Sequence, residues 1–165
     1  MKVWRICNDR HAGTAFSGEG SRIYSGRWNL VGTPMVYAAT SLALASIEVF
    51  VHLGPEDTPE HLVSIEAELP LDQAQCERVD VSALPADWRR ERHPELMLMG
   101  SEWARSGRSL VLLVPSAAVG GEWNALVNPE HPEARKIVLA KPEAFRFDER
   151  MFKRIGRISP SSIKK

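Results

Sequence analysis

Four polar residues stand where apolar runs begin, break or end. Arg27 lies between Gly26 and Trp28, Tyr37 within the run 35–39, Glu48 within 42–53, and Ser116 directly after 110–115. Asn124 and Asn128 follow in the next segment. A carboxylate on an apolar face needs hydrogen bonds or a cation to stay charged, and such groups cluster at functional sites. Each residue also has an ordinary reading. Arg27 is then a surface cation or the buried ion-pair partner of Glu48, Tyr37 a core aromatic with a satisfied hydroxyl, and Ser116 a turn residue.

Other chemistries lack their pattern. The five histidines, at 11, 52, 61, 93 and 131, show neither HxxxH nor HxH spacing, so no metal site is predicted. There is no GxGxxG and no Walker loop, and Pro115-Ser116-Ala117 is not a GxSxG nucleophile elbow. Cys7 and Cys76 form no CxxC pair, which argues against both a disulfide framework and a structural zinc.

The elements that must position these residues are short. Residues 1–25 are turn-rich after an opening alternation, with Val3 and Arg5 facing one way and Trp4 and Ile6 the other. Residues 26–29 read as a strand or extended turn, and 35–39 as a short buried strand. Thr40 or Ser41 can cap a helix that runs from 42 to 53 until Gly54-Pro55 stops it. On its 3.6-residue period Leu44, Ile47, Glu48 and Val51 share a face. An acidic loop follows, then an alternating strand at 62–69, a polar turn-prone stretch to Trp88, and a helix from Pro94 through Arg105 that ends at Gly107. Its apolar row is Leu96, Met99 and Trp103. Strands are expected at 110–114, 124–129 and 134–139, with Phe145 and Phe147 beyond. Short strands among two helices, without regular βαβ alternation, predict an α+β fold.

A chain of 165 residues with 44% hydrophobic and 25% charged content is one ordinary soluble domain, neither disordered nor repetitive. Lys plus Arg and Asp plus Glu are both 21, so no domain-wide field favours nucleic acid or anionic membrane. From Arg146 onward seven basic residues oppose Asp148 and Glu149, or +5, leaving −5 on residues 1–145 (14 basic, 19 acidic). Any polyanion contact would fall to that tail, which otherwise is a solvated terminus. The opening Met-Lys-Val-Trp-Arg is no secretory signal, and no apolar run reaches bilayer length, so a cytoplasmic protein is expected.

Several ordered blocks resemble the RES domain family. They are Ser25-Gly26-Arg27-Trp28-Asn29, Gly32-Thr33-Pro34-Met35-Val36-Tyr37-Ala38-Ala39, the helix with Ala43 and Glu48, and Val114-Pro115-Ser116. Glu122-Trp123-Asn124-Ala125-Leu126-Val127-Asn128-Pro129-Glu130-His131-Pro132 and Phe147-Asp148-Glu149-Arg150-Met151-Phe152 complete the match, over about residues 3–152. The family often has a second glycine where Ser25 stands, and 158–165 lies beyond its usual end. The resemblance implies a RES domain over 1–153 with a basic tail at 154–165. It also implies an ADP-ribosyltransferase-like fold of mixed and antiparallel sheets with a few helices. The function implied is the toxin of a bacterial type II toxin–antitoxin pair that depletes NAD⁺ by hydrolysis or phosphorolysis; the alternative is ADP-ribosyl transfer to a protein. Arg27, Glu48 and Ser116 would be the family's Arg, Glu and Ser and form the catalytic set. Arg27, Tyr37 and Asn128 would bind NAD⁺, which is a substrate, so neither cofactor nor metal is required. The implied partner is an Xre-like helix-turn-helix antitoxin that blocks the site, with nucleic acid reached only through it, no membrane, and a homodimer compatible with the family.

Overall fold

The computed structural model describes residues 1–54, 59–70 and 75–152; the basic tail at 154–165 lies outside the described residues. Eight strands form one mixed sheet: β1 (Lys2–Asn8), β2 (Val36–Ala39), β3 (Leu62–Glu68), β4 (Cys76–Arg78), β5 (Val111–Pro115), β6 (Trp123–Val127), β7 (Val138–Leu139) and β8 (Glu143–Phe145). The order is β4-β5-β6-β2-β1-β3-β7, with β8 also on β3, and β4–β5 is the parallel pair. Three helices join them: α1 (Glu19–Ile23), α2 (Leu42–Phe50) and α3 (Pro94–Ser106). The fold is α+β, as the pattern of short strands predicts.

The sheet is two wings joined at a narrow seam. β1 and β3 pair from Lys2↔Glu68 to Asn8↔Leu62, and β2 and β6 pair from Val36↔Val127 to Ala39↔Asn124. Between the wings β1 and β2 share one register pair, Trp4↔Ala39. Alternation along the strands divides the core. Leu112, Val114 and Leu126 meet Trp28, Leu96 and Trp103 under α3, whereas Val3, Val36, Ala67, Val111 and Val127 pack on the opposite face. On the α3 face of the sheet, Leu44 and Ala45 of α2 press on Ile6 and Ala39.

Three local readings differ. The helix expected at 42–53 ends at Phe50, because His52 and Leu53 donate their N–H groups three residues back, to Val49 and Phe50, and tighten the last turn. Val51 is thereby outside the apolar stripe and exposed. The strand expected at 134–139 is mostly a 3-10 turn, Pro132–Lys136: Pro132 opens it and the His131 ring accepts from Glu133 N, leaving Val138–Leu139 as strand. In the polar stretch before Trp88 the structure adds β4, three residues held parallel to β5.

An aromatic cluster closes the chain's described end. Phe50, the last residue of α2, meets Phe147 at 5.8 Å and Phe152 at 5.6 Å, and Phe147 meets Phe145 at 5.1 Å in an edge-on contact. Among the described residues no helix is long and apolar enough to cross a membrane.

Candidate active site

Glu48 owes its position to Ser41 and Leu44. The Ser41 hydroxyl accepts from Leu44 N at 3.1 Å and starts α2. Leu44 seats the helix on the sheet, and Glu48, four residues on, projects from the same face. Its Oε1 accepts two short hydrogen bonds, from Ser116 Oγ and from Asn124 Nδ2, each 2.6 Å. Oε2 has no protein partner among the described residues. Ser116 is itself fixed. It follows β5, is 1% exposed, and its Oγ accepts from Ala118 N at 3.2 Å and Val119 N at 3.0 Å while its proton goes to Glu48. Asn124 comes from β6, opposite Ala39 and Val114. The carboxylate thus has one oxygen anchored and one available.

Arg27 sits on irregular backbone, a tight turn closed by a bridge between Gly26 and Asn29. The Tyr37 hydroxyl, on β2, accepts from Trp28 N at 2.9 Å and donates to Asn29 Oδ1 at 2.8 Å. Asn29 is fully buried; its amide donates to the carbonyls of Ser21, Tyr24 and Leu30 and its Oδ1 also takes Gly26 N. From above, α3 seats the turn: Leu30 N donates to Ser101 Oγ at 2.8 Å, and a Cβ on Gly100 would run into the Trp28 carbonyl. Arg27 Nη1 donates to three consecutive carbonyls, Trp88, Arg89 and Arg90, at 3.2, 2.8 and 2.8 Å. Its Nε and Nη2 have no protein partner among the described residues.

The ion pair between Arg27 and Glu48 that the sequence leaves open does not form: Arg27 goes to backbone carbonyls and Glu48 to Ser116 and Asn124. The two clusters nevertheless share one sheet face. Tyr37 lies two residues before Ala39 on β2, on the same side as Ala39 and its partner Asn124. Burial raises the Tyr37 phenol above its ordinary range, opposed by the Trp28 N–H and the Arg27 charge, so it stays a neutral hydroxyl.

Asn128 stands elsewhere. It is 2% exposed, its amide donates to Ala104 O at the end of α3, and its Oδ1 accepts from Glu130 N. The structure does not bring it to Glu48.

One residue not assigned from the sequence, Asn124, joins the site, and another, Arg5, lies behind it. Asn124 was visible as a polar residue in an apolar segment. Arg5 had only its alternation with Trp4 to show. It reaches across the seam, where Nη1 donates to Tyr37 O at 2.6 Å, and its Nε is buried without a partner. Burial lowers its guanidinium's affinity for a proton, yet arginine remains charged at neutral pH. Neither Arg5 nor Arg27 has a carboxylate within salt-bridge distance among the described residues; Arg27 belongs to the α3 face with Tyr37, whereas Arg5 alternates with Val3 and lies on the opposite face of β1. No three of the described His, Cys, Asp and Glu residues gather as a metal-ligand set.

The RES domain family model matches residues 2–148. A relative from Sphingobium sp. (strain YBL2), "Prs ADP-ribosylating toxin", is 40% identical over 155 residues, 92% of this chain and 96% of its own. "Toxin Res" of Photorhabdus laumondii is 34% identical, covering 93% of this chain and 98% of its own. Among solved structures, the M. tuberculosis MbcT–MbcA toxin–antitoxin complex contains a similar fold, with TM-score 0.66, 16% identity, and 88% and 84% of the two chains covered. With its family model matched over nearly its whole length and its curated relatives named as toxins, the chain belongs to the RES domain family and stands among its toxins.

Proposed function

We propose that this toxin breaks the nicotinamide–ribose bond of NAD⁺, with Glu48 stabilising the cationic ribose. The observation that carries the reading is the half-anchored Glu48 carboxylate, Oε1 held by Ser116 and Asn124 and Oε2 left for substrate. In the reaction the C–N bond breaks and its electron pair leaves with neutral nicotinamide. The ribose passes through an oxocarbenium-like state, and an acceptor oxygen then bonds to its anomeric carbon and releases a proton. Oε2 placed beside the ribose opposes the developing positive charge; a preorganised polar group of this kind is worth about 3–4 kcal/mol in comparable sites. Arg27, a cation without a carboxylate, suits the pyrophosphate, and its fork keeps two donor nitrogens for it. Tyr37, whose hydroxyl is committed to the Arg27 turn, offers its ring to the nicotinamide rather than its hydroxyl.

The acceptor is water or phosphate in this reading. Transfer to a protein is the second reading, and the relative named as an ADP-ribosylating toxin favours it. Both share the bond-breaking step. An antitoxin with an Xre-like helix-turn-helix domain, covering the Glu48 face, is the partner proposed here, and the cytoplasm the compartment. The deciding experiment follows NAD⁺ with purified, antitoxin-free protein, with and without phosphate, beside Glu48→Gln. Loss of NAD⁺ that needs Glu48 supports the reading, and ADP-ribose or its 1″-phosphate identifies the acceptor. No loss in either buffer, with labelled NAD⁺ marking a protein in lysate, moves the assignment to transfer. No loss and no label removes both.

A further inference from the structure

The asparagines at 29, 124 and 128 use their amides differently. Asn29 and Asn128 are each engaged at both ends, and every acceptor of their amide N–H groups is a backbone carbonyl. They hold the fold together. Asn124 has one partner only: Nδ2 donates to Glu48 Oε1 at 2.6 Å, while its Oδ1 is buried and has no partner among the described residues. A buried carbonyl without a donor costs free energy that an apolar side chain at the same strand position would not incur. Nothing in the sheet compensates for it, since β6 is already paired on both sides by β2 and β5. The amide's one contact is the carboxylate.

We infer that Asn124 is a positioning residue: together with Ser116 it fastens Oε1 of Glu48 and so turns Oε2 toward the ribose. The inference rests on the reading of Glu48 given above and extends it to a residue on a different element. The two donors reach Oε1 from neighbouring elements, Ser116 from the loop after β5 and Asn124 from β6 itself. One donor leaves a carboxylate free to swing about its contact; two fix its plane. The backbone register of Asn124, opposite Ala39 at the end of β2, ties that plane to the strand that also carries Tyr37.

The test compares Asn124→Ala and Asn124→Asp with wild type, each first checked by thermal melting. In NAD⁺ turnover, Asn124→Ala is expected to lower kcat by about tenfold or more while KM changes less than about twofold, because an interaction acting through Glu48 is felt in the transition state. Asn124→Asp keeps the shape but places a second carboxylate against the first. Two such groups share a proton, and the shared proton restores the lost contact. Activity of Asn124→Asp is therefore expected to recover as pH falls and to drop below that of Asn124→Ala at high pH, a crossing that loss of packing alone does not produce. A second readout needs no NAD⁺. The Glu48 carboxyl ¹³C signal, assigned by its disappearance in Glu48→Gln, should move in Asn124→Ala while the other carboxyl signals stay in place. An unmoved Glu48 signal overturns the inference whether or not the protein consumes NAD⁺. So does wild-type kcat in Asn124→Ala, or an Asn124→Asp pH profile parallel to that of the alanine variant. A moved signal in a protein that leaves NAD⁺ intact upholds the Asn124–Glu48 link and removes the proposed reaction instead.

Discussion

The carboxylate and guanidinium halves of the site are built by opposite means. Glu48 stands on a helix and takes its partners from a sheet strand and the turn beside it, through side chains alone. Arg27 stands on a turn with no regular structure, and the groups that hold its guanidinium are backbone carbonyls. A side chain held by side chains can be tuned by point mutation without disturbing the chain's path. One held by backbone moves only if the backbone does. The Glu48 half is therefore where chemistry can be removed from an intact fold, and the Arg27 half is where chemistry and folding fail together.

Four substitutions would break or sharpen that contrast. Glu48→Gln should cost about 3–4 kcal/mol of transition-state stabilisation, seen as the loss of NAD⁺ turnover, while the melting temperature stays near wild type. A cooperative loss of folding would place Glu48 with the structural residues. On the other half, Gly100→Ala drives a methyl into the Trp28 carbonyl and should destabilise by about 1–3 kcal/mol. It should also raise KM for NAD⁺, because the turn carrying Arg27 must shift; a raised KM without a lowered melting temperature would contradict the backbone account. Ser116→Ala removes one donor from Oε1 and should cost about 1–2 kcal/mol in kcat. Its neighbours Ala118 N and Val119 N also lose their acceptor, so a small drop in melting temperature accompanies it.

Tyr37→Phe is the mildest and reads the Arg27 half through pH. Burial holds the phenol above its ordinary value of 10.0, so its contribution to stability is complete below that pH and is lost as pH rises beyond it. The variant should be about 1 kcal/mol less stable near neutrality, from the lost Trp28 and Asn29 contacts. It should then lose stability less steeply than wild type in alkaline solution. Parallel alkaline denaturation curves would show that Tyr37 does not couple to folding in this way.

What the sequence disclosed follows the same division. Glu48 was legible because helical periodicity put a carboxylate on the face of Leu44, a local signal. Of its two partners Ser116 was legible only through its motif and Asn124 only as a polar residue in an apolar segment, since they lie 68 and 76 residues away and tertiary pairing brings them there. Arg27 was legible through its motif alone: carbonyls at Trp88, Arg89 and Arg90 belong to any sequence and leave no residue-type signature. The long strands and both long helices emerged from hydrophobic pattern, with errors where local capping overrode it, as at His131 and at the end of α2. β4 escaped because three residues cannot show a period. Arg5 escaped because alternation in β1 only sets it on the side of Val3, and its reach to the Tyr37 carbonyl across the seam is a tertiary contact.

The aromatic cluster at the end of the described chain has a genetic consequence. Phe147 and Phe152 brace Phe50, two residues beyond Glu48 on α2, Phe145 backs Phe147, and β8 completes the edge of β3. Every polar residue of the site is encoded before this brace. A frameshift or stop codon just upstream of Phe145 therefore yields a reading frame that still spells out the whole site but leaves the helix of Glu48 unpropped. For a cell escaping its own toxin, that distal stretch of the gene is as large a mutational target as the active-site codons. Revertants selected for survival should collect there, in positions that touch no substrate.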